Sequence, residues 1–264
     1  MRGGCGQFDC GRRFRIRAEF CVTALVRLMR YTARRAEPPQ SIKQLIVRSR
    51  TERTVKIMHI PSSCTAEISV ASFDDALAEA DTTALDKYDH AKWLYVPNEY
   101  GEYRYILGTR GENPLICVGI NPSTAAPDDL DNTLKSVSRI AAANGYDSWI
   151  MFNVYAQRAT NPDDMDASLN ERLHRENMRA FRYILGLYGK GRHPAVWAAW
   201  GTIIKKRSYL ADCVRDMIAA GREFGAEWLR AGRVSKAGHP HHPLYLRKDE
   251  PTVPFDIEAY LELL

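Results

Sequence analysis

The sequence has no two cysteines at C-x-x-C spacing, and its six cysteines (Cys5, Cys10, Cys21, Cys64, Cys117, Cys213) are scattered along the chain. That scatter argues against a zinc site or an iron–sulfur cluster and fits a reducing cytoplasm. No apolar run approaches the roughly 18 residues of a bilayer span, so no membrane partner is expected. No glycine-rich phosphate cradle of the P-loop type occurs, and neither a Cys/His nor a Ser/His/Asp set is evident. Covalent nucleophilic catalysis and P-loop nucleotide hydrolysis are therefore not expected, and neither a metal nor a cofactor is called for.

What is present begins with a charge asymmetry. Residues 1 to 57 hold fourteen Arg or Lys against four acidic residues, a net +10, although the whole chain is only +5. The remaining residues are thus net acidic, and a basic nucleic-acid surface cannot be assumed for them. Three readings of residues 1–57 stand side by side: a flexible arm for polyanions, a small helical appendage, or an extension upstream of Met58. Residues 58–264 are expected to form one α/β domain.

The chain is organised around Leu115–Thr124. The four apolar residues Leu115–Val118 run into Gly119, as in a strand buried on both faces, and Ile120-Asn121-Pro122-Ser123-Thr124 follows. Further apolar runs at Trp149–Phe152, Ala195–Gly201 and Glu227–Leu229 alternate with helical patterns over Leu130–Asn144, Asn170–Leu187 and Lys205–Ala220. Upstream, a strand is expected at Ala66–Ala71, an acidic helix at Phe73–Lys87, and a β-hairpin from Trp93–Val96 and Tyr103–Leu107; a closing helix is expected over Phe255–Leu264. Strand and helix alternate four times, which predicts a three-layer α/β/α sandwich around a four-stranded, mainly parallel sheet.

In such a sheet the loops after each strand gather at one edge. Asn121–Thr124, Asn153–Arg158, Gly201-Thr202 and His239–Tyr245 would then share a crevice. A single Asn after a strand is ordinarily a turn residue, and Tyr155 taken singly is ordinarily core. The run His239-Pro240-His241-His242 is broken by proline and joined by no carboxylate or cysteine, so metal binding is not expected. Carboxamides can hold a water or read a base edge, and His and Arg suit a phosphate or a developing negative charge.

Together, Gly119-Ile120-Asn121-Pro122, Asn153-Val154-Tyr155-Ala156 with Arg158, and His242-Pro243-Leu244 resemble the motifs of the uracil-DNA glycosylase superfamily. More closely, GINPSTA, NVYAQRAT, AAWG and HPLYL, over roughly Tyr103–Pro254, resemble a bacterial and phage domain family long catalogued as of unknown function, understood to include an antiphage DNA glycosylase that excises glucosylated hydroxymethylcytosine. The resemblance implies that Asn121 positions the attacking water and that His242 or His239 stabilises the departing base. It further implies that Asn153 reads the base edge while Tyr155 stacks on it, and that Pro122, Ser123, Thr124 and Arg158 contact DNA. One of Asp128, Asp129 or Asp131, with Asp131 preferred, would activate the water or meet the sugar cation. Small residues (Ser123, Ala125, Ala126, Ala156) would widen the pocket, and Gln157, Arg158 and Thr160 would meet glucose hydroxyls. Ser123 stands where the mismatch-specific branch has Gly. The expected partner is modified phage DNA, with no obligate protein partner. A non-catalytic nucleic-acid or nucleotide-binding module and a hydrolase of free modified nucleosides are the competing readings.

Overall fold

Alternation of apolar segments with amphipathic ones yields fourteen regular elements among the residues the computed structural model describes, which are 43–48, 55–62, 64–82, 88–189 and 191–264. They are β1 (Lys43–Arg48), β2 (Val55–Ile60), α1 (Phe73–Thr82), β3 (Trp93–Val96), β4 (Ile106–Thr109), β5 (Pro114–Gly119), α2 (Asn132–Ala143), β6 (Ser148–Asn153), α3 (Glu171–Leu185), β7 (Ala195–Ala198), α4 (Tyr209–Glu223), β8 (Glu227–Ala231), β9 (Thr252–Pro254) and α5 (Ile257–Leu261). Most of the expected basic segment 1–57 lies outside the described residues; within it, β1 pairs antiparallel with β2, Lys43 opposite Ile60 and Arg48 opposite Val55.

The α/β expectation holds, but the sheet is larger than four strands. Seven strands lie in the order β3-β4-β6-β5-β7-β8-β9. The four middle strands are parallel, with Gly119 opposite Asn153, Val118 opposite Ala198, and Trp197 opposite Leu229. The hairpin β3–β4 joins one side antiparallel through Leu107–Met151 and Gly108–Ile150, and β9 joins the other side of β8. Both additions cover what would otherwise be open sheet edges. The three residues of β9 are too few to show a period in sequence.

Strand alternation divides the core by sheet face. Ile116, Val118, Ile150, Phe152, Val196 and Ala198 turn toward a cluster that includes α1, α3, α4 and α5. Leu115, Cys117, Trp149, Met151, Ala195 and Trp197 turn the other way, toward α2. Phe152 packs on Phe181 of α3 with ring centroids 5.1 Å apart, and full burial of such a side chain contributes about 1.5–3 kcal/mol.

Two local expectations fail for identifiable reasons. Ala66–Ala71 is not a strand: Thr65–Glu67 forms a 3-10 turn, and Thr65 is held by a side chain rather than a ladder, its N–H donating to Asp166 Oδ1 at 3.1 Å. The helix expected from Lys205 begins only at Tyr209, because Gly201–Lys206 takes a 3-10 path with Gly201 at φ +64°. The acidic helix runs to Thr82, and residues 83–87 lie outside the described residues. No helix among the described residues is long and apolar enough to cross a membrane.

The junction of hairpin and central sheet has no room for a methyl group. A Cβ on Gly108 would lie 2.5 Å from Trp149 O and 2.8 Å from Ile150 Cα, both backbone atoms of β6. Gly108→Ala is expected to cost about 3 kcal/mol, read as a lowered urea midpoint at unchanged m-value; a midpoint equal to the parent's would refute this packing.

Candidate active site at the carboxyl edge of the sheet

Because β5, β6, β7 and β8 are parallel, their carboxyl ends share one edge, and the ladder bonds run on into the loops. Val154 N donates to Gly119 O at 2.9 Å, Tyr155 N to Ile120 O at 3.0 Å, and Ala199 N to Val118 O at 2.9 Å. Gly201 backs onto the histidine segment, where a Cβ would stand 3.7 Å from His242 Cβ.

Asn121 lies two residues past β5. Its amide nitrogen donates to Ala159 O at 2.8 Å and to Pro122 O at 3.0 Å. Its side-chain bonds among the described residues are both made by that nitrogen, so Oδ1 accepts from none of them, and the residue is half-buried. With both N–H donors engaged, the free oxygen is a fixed acceptor whose orientation costs nothing further when a water binds.

The β6 loop departs from expectation. Asn153 is 1% exposed; oriented to satisfy both ends, its amide donates to Asn121 O and Phe152 O, each at 3.3 Å. It is a prop beneath Asn121 and cannot reach a base edge. Tyr155 is also buried, and its hydroxyl is surrounded by Asp166 Oδ2 at 2.9 Å, Thr65 Oγ1 at 3.3 Å and the N–H of Asn170 at 3.2 Å. Burial pushes its pKa up. A ring so enclosed offers no face for stacking. Gln157 is likewise spent inside, its Nε2 donating to Asp166 Oδ1 at 3.0 Å. Ala125 and Ala156 are buried in packing rather than lining a pocket.

Arg158, expected on DNA, is fully buried. It donates to Ser123 O, to Ala125 O at 3.2 Å and to Tyr95 Oη at 3.0 Å, with its guanidinium 4.1 Å from the ring centroid of Tyr100. Arg104, also buried, donates to Ala125 O at 3.0 Å. These two side chains hold the Asn121 loop from below. A second anchor is His59, whose N–H donates to Thr160 Oγ1 at 2.7 Å while its carbonyl accepts from Thr160 N at 2.9 Å. Thr160 Oγ1 lies 3.3 Å from Ser123 Oγ. Ser123 and Thr124 themselves stay half-buried, and Pro122 is buried with its carbonyl accepting from Ala159 N at 2.9 Å.

Of the two candidate histidines, the structure separates their roles. His239 is 1% exposed, its Nδ1 2.9 Å from Tyr260 Oη, and burial followed by Lys205 lowers its pKa. It belongs to the core. His242 is half-buried and caps the 3-10 turn Pro243–Tyr245, its Nδ1 accepting from Leu244 N at 3.4 Å. An accepting Nδ1 places the proton of the neutral ring on Nε2, which has no partner among the described residues. Burial lowers the pKa of His242, and the Asp131 carboxylate opposes that shift. Asp131 also acts on Arg104, and its Oδ1 caps α2 by accepting from Leu134 N at 2.9 Å. Asp131 is thus within electrostatic range of both His242 and Arg104, and Arg104 holds the Asn121 loop through Ala125 O. Asp128 and Asp129 are exposed, and Asp128 is engaged by Lys92 and by Trp93 Nε1, each at 3.2 Å.

Beside His242, Tyr245 is 79% exposed and Leu244 44%. Arg233, Lys236, Arg247 and Lys248 in the neighbouring sequence are exposed as well. No group of His, Cys, Asp and Glu among the described residues could hold a metal ion. Reasoning from sequence missed Tyr95, Tyr100, His59 and Asp166, none of which carries a local motif.

Two measurements follow. His59, His239 and His242 all have lowered pKa values, with burial the leading cause. The unfolded chain binds their protons more readily, so stability is fully present above pH 6.5 and is lost as pH falls below it. Urea midpoints should decline on acidification from pH 7.5 to 5; a rising midpoint would contradict the burial of these rings. Separately, Asp131→Asn keeps the helix cap but removes the opposing charge, so the pKa of His242, followed by NMR, should fall further. An unchanged value would mean that the two groups are not neighbours.

A family model described as "Protein of unknown function (DUF1643)" matches residues 104–244, just over half of the chain, from the buried Arg104 to Leu244 beside His242. No curated protein and no solved structure matches. The carboxyl-edge loops fall within the matched span as far as Leu244, with Tyr245 just beyond it, and the chain belongs to the DUF1643 family.

Proposed function

We propose that the chain is a monofunctional DNA glycosylase built on a uracil-DNA glycosylase-like three-layer domain, and that it removes a modified base, glucosylated 5-hydroxymethylcytosine of phage DNA, as antiviral defence. The observation that carries the reading is the pairing of chemistries at one edge: a carboxamide oxygen locked in place by its own amide, and a neutral imidazole N–H within electrostatic range of a helix-capping carboxylate. The substrate identity rests on the resemblance of GINPSTA, NVYAQRAT, AAWG and HPLYL to their family.

The mechanism follows from charge. Breaking an N-glycosidic bond places positive charge on the sugar and negative charge on the departing base. A flipped nucleotide at the edge would meet Asn121 Oδ1 on the sugar side, where that oxygen accepts a hydrogen bond from the attacking water. His242 Nε2–H would donate to the base as its charge grows. A neutral donor suits this task, since it gains strength only as the acceptor becomes anionic. The Asp131 carboxylate favours positive charge on the imidazole and on the sugar. Tyr245, exposed beside the ring of His242 at a centroid distance of 6.1 Å, is placed to fill the gap left in the base stack, supported by exposed Arg and Lys.

The test uses DNA with and without glucosylated hydroxymethylcytosine, treated with enzyme and then with alkali to cut abasic sites. Strand breaks confined to modified DNA are expected, and Asn121→Ala should lower excision at least about 100-fold while gel retention of the DNA persists. DNA retention without breaks would instead make the chain a binding module, and wild-type turnover by Asn121→Ala would end the assigned mechanism.

A further inference from the structure

Arg104 and Arg158 share a single acceptor, the carbonyl oxygen of Ala125, at 3.0 and 3.2 Å. Both are at least 99% buried, and the Nε of each has no hydrogen-bond partner among the described residues. None of the ion pairs among those residues includes either guanidinium. Two like charges thus lie under one loop, held by carbonyl dipoles, a phenol and a ring face. Burial and Arg158 push Arg104 down to about 9, which leaves it protonated at neutral pH. Asp131 acts on Arg104 and Glu102 pairs with His59 at 3.4 Å, but no carboxylate among the described residues forms an ion pair with either guanidinium, which leaves both charges unpaired beneath Ser123–Ala125. Buried charge in that state is costly unless something neutralises it.

The loop above has donors to spare. The peptide linking Ser123 to Thr124 is trans, since the cis bond among the described residues is Val96–Pro97. In a trans peptide the C=O and N–H point in opposite directions. Drawing Ser123 O down onto Arg158 therefore turns the Thr124 N–H away from the guanidinium. That N–H and the N–H of Ser123 have no acceptor among the described residues, and both residues are half-buried at the edge. Of their hydroxyls, that of Ser123 donates to Thr160 Oγ1 at 3.3 Å, and that of Thr124 has no partner among the described residues.

We propose that Ser123 and Thr124, over the Arg104–Arg158 pair, form a binding site for a phosphate oxygen anion that supplies the missing counter-charge. A permanently charged group fits a permanently charged pair better than a base that is anionic only as it departs. The natural source, a phosphodiester next to the extruded nucleotide, rests on the glycosylase reading; the anion site does not. Arg104 and Arg158 are positioning residues in this arrangement, since they act through the loop they hold.

The test titrates inorganic phosphate into the full chain at constant ionic strength, following melting temperature and the Thr124 amide resonance. A saturable shift of that amide is expected, with a rise of several degrees at about 100 times Kd. Arg104→Met leaves Ala125 O with Arg158 as donor. Its melting temperature in phosphate-free buffer should equal or exceed the parent's, because a like charge has gone, and the phosphate-dependent rise should vanish. An unmoved Thr124 amide, an undiminished rise in Arg104→Met, or unfolding of that variant without phosphate would each overturn the site. A short oligodeoxynucleotide should displace phosphate from the Thr124 amide whereas a nucleoside should not; a nucleoside that displaced it equally would overturn the phosphate assignment. Phosphate binding without base excision would refute the glycosylase reading alone.

Discussion

The clamp of Arg158 on the carbonyls of Ser123 and Ala125 is the contact on which the carboxyl edge depends. It joins two loops that follow neighbouring strands, the one after β5 and the one after β6, and it is braced by Tyr95 of β3 and by the face of Tyr100. Hydrogen bonds from a charged group contribute about 1.5–3 kcal/mol each when they form in place of unmet ones. The desolvation of the guanidinium opposes them by several kcal/mol. The near-cancellation means that the clamp adds little to net stability, and what it does contribute is a fixed backbone path for Asn121–Ala125. Asn121 inherits that fixity through its own bonds to Ala159 and Pro122.

Much of the layering was legible from sequence because buried parallel strands leave a strong mark. Leu115–Gly119, Trp149–Phe152 and Ala195–Ala198 are continuous apolar runs, and each became a central strand. The helices after β5 and β6 carried their caps openly, Asp131 and Asn170, whose side chains accept from the first turns of α2 and α3. The sheet edges were not legible to the same degree. The hairpin β3–β4 was visible as a hairpin, though its second strand runs Ile106–Thr109 rather than the expected Tyr103–Leu107, and nothing local says that its partner is β6. β9 owes its existence to a neighbour, β8, rather than to any pattern in Thr252-Val253-Pro254. The strand expected at Ala66–Ala71 failed for a similar reason: the turn that opens it, at Thr65, is tied to Asp166, 101 residues away in the chain.

Within the candidate site, legibility depended on whether a residue faces solvent or its neighbours. Asn121 and His242 follow strand ends in polar surroundings and remain open at Oδ1 and Nε2. In Asn153–Arg158 the polar residues are instead turned inward. Asn153 props Asn121, Tyr155 and Gln157 satisfy Asp166, and Arg158 grips the preceding loop. A motif of polar residues at a strand end therefore has two physical meanings that sequence cannot separate. It can mark side chains offered to a ligand, or side chains that replace a regular ladder where the backbone leaves the sheet and its carbonyls still need donors.

That second meaning bears on how the edge would act in the proposed reaction. Preorganisation requires that the groups facing a transition state be held by others that never touch it. Here the holding layer is polar rather than apolar: a carboxamide under a carboxamide, and guanidiniums under peptide carbonyls. An apolar layer could fill the same volume, but it could not take up the carbonyls of Ser123 and Ala125, which would then turn back toward the crevice and present negative ends where the proposed anion or departing base would sit. Buried donors beneath the loop thus set the sign of the potential above it. The interior arginines are thereby part of the electrostatics of the edge, and in the proposed glycosylase contact with substrate would fall to Asn121, Ser123, Thr124 and His242.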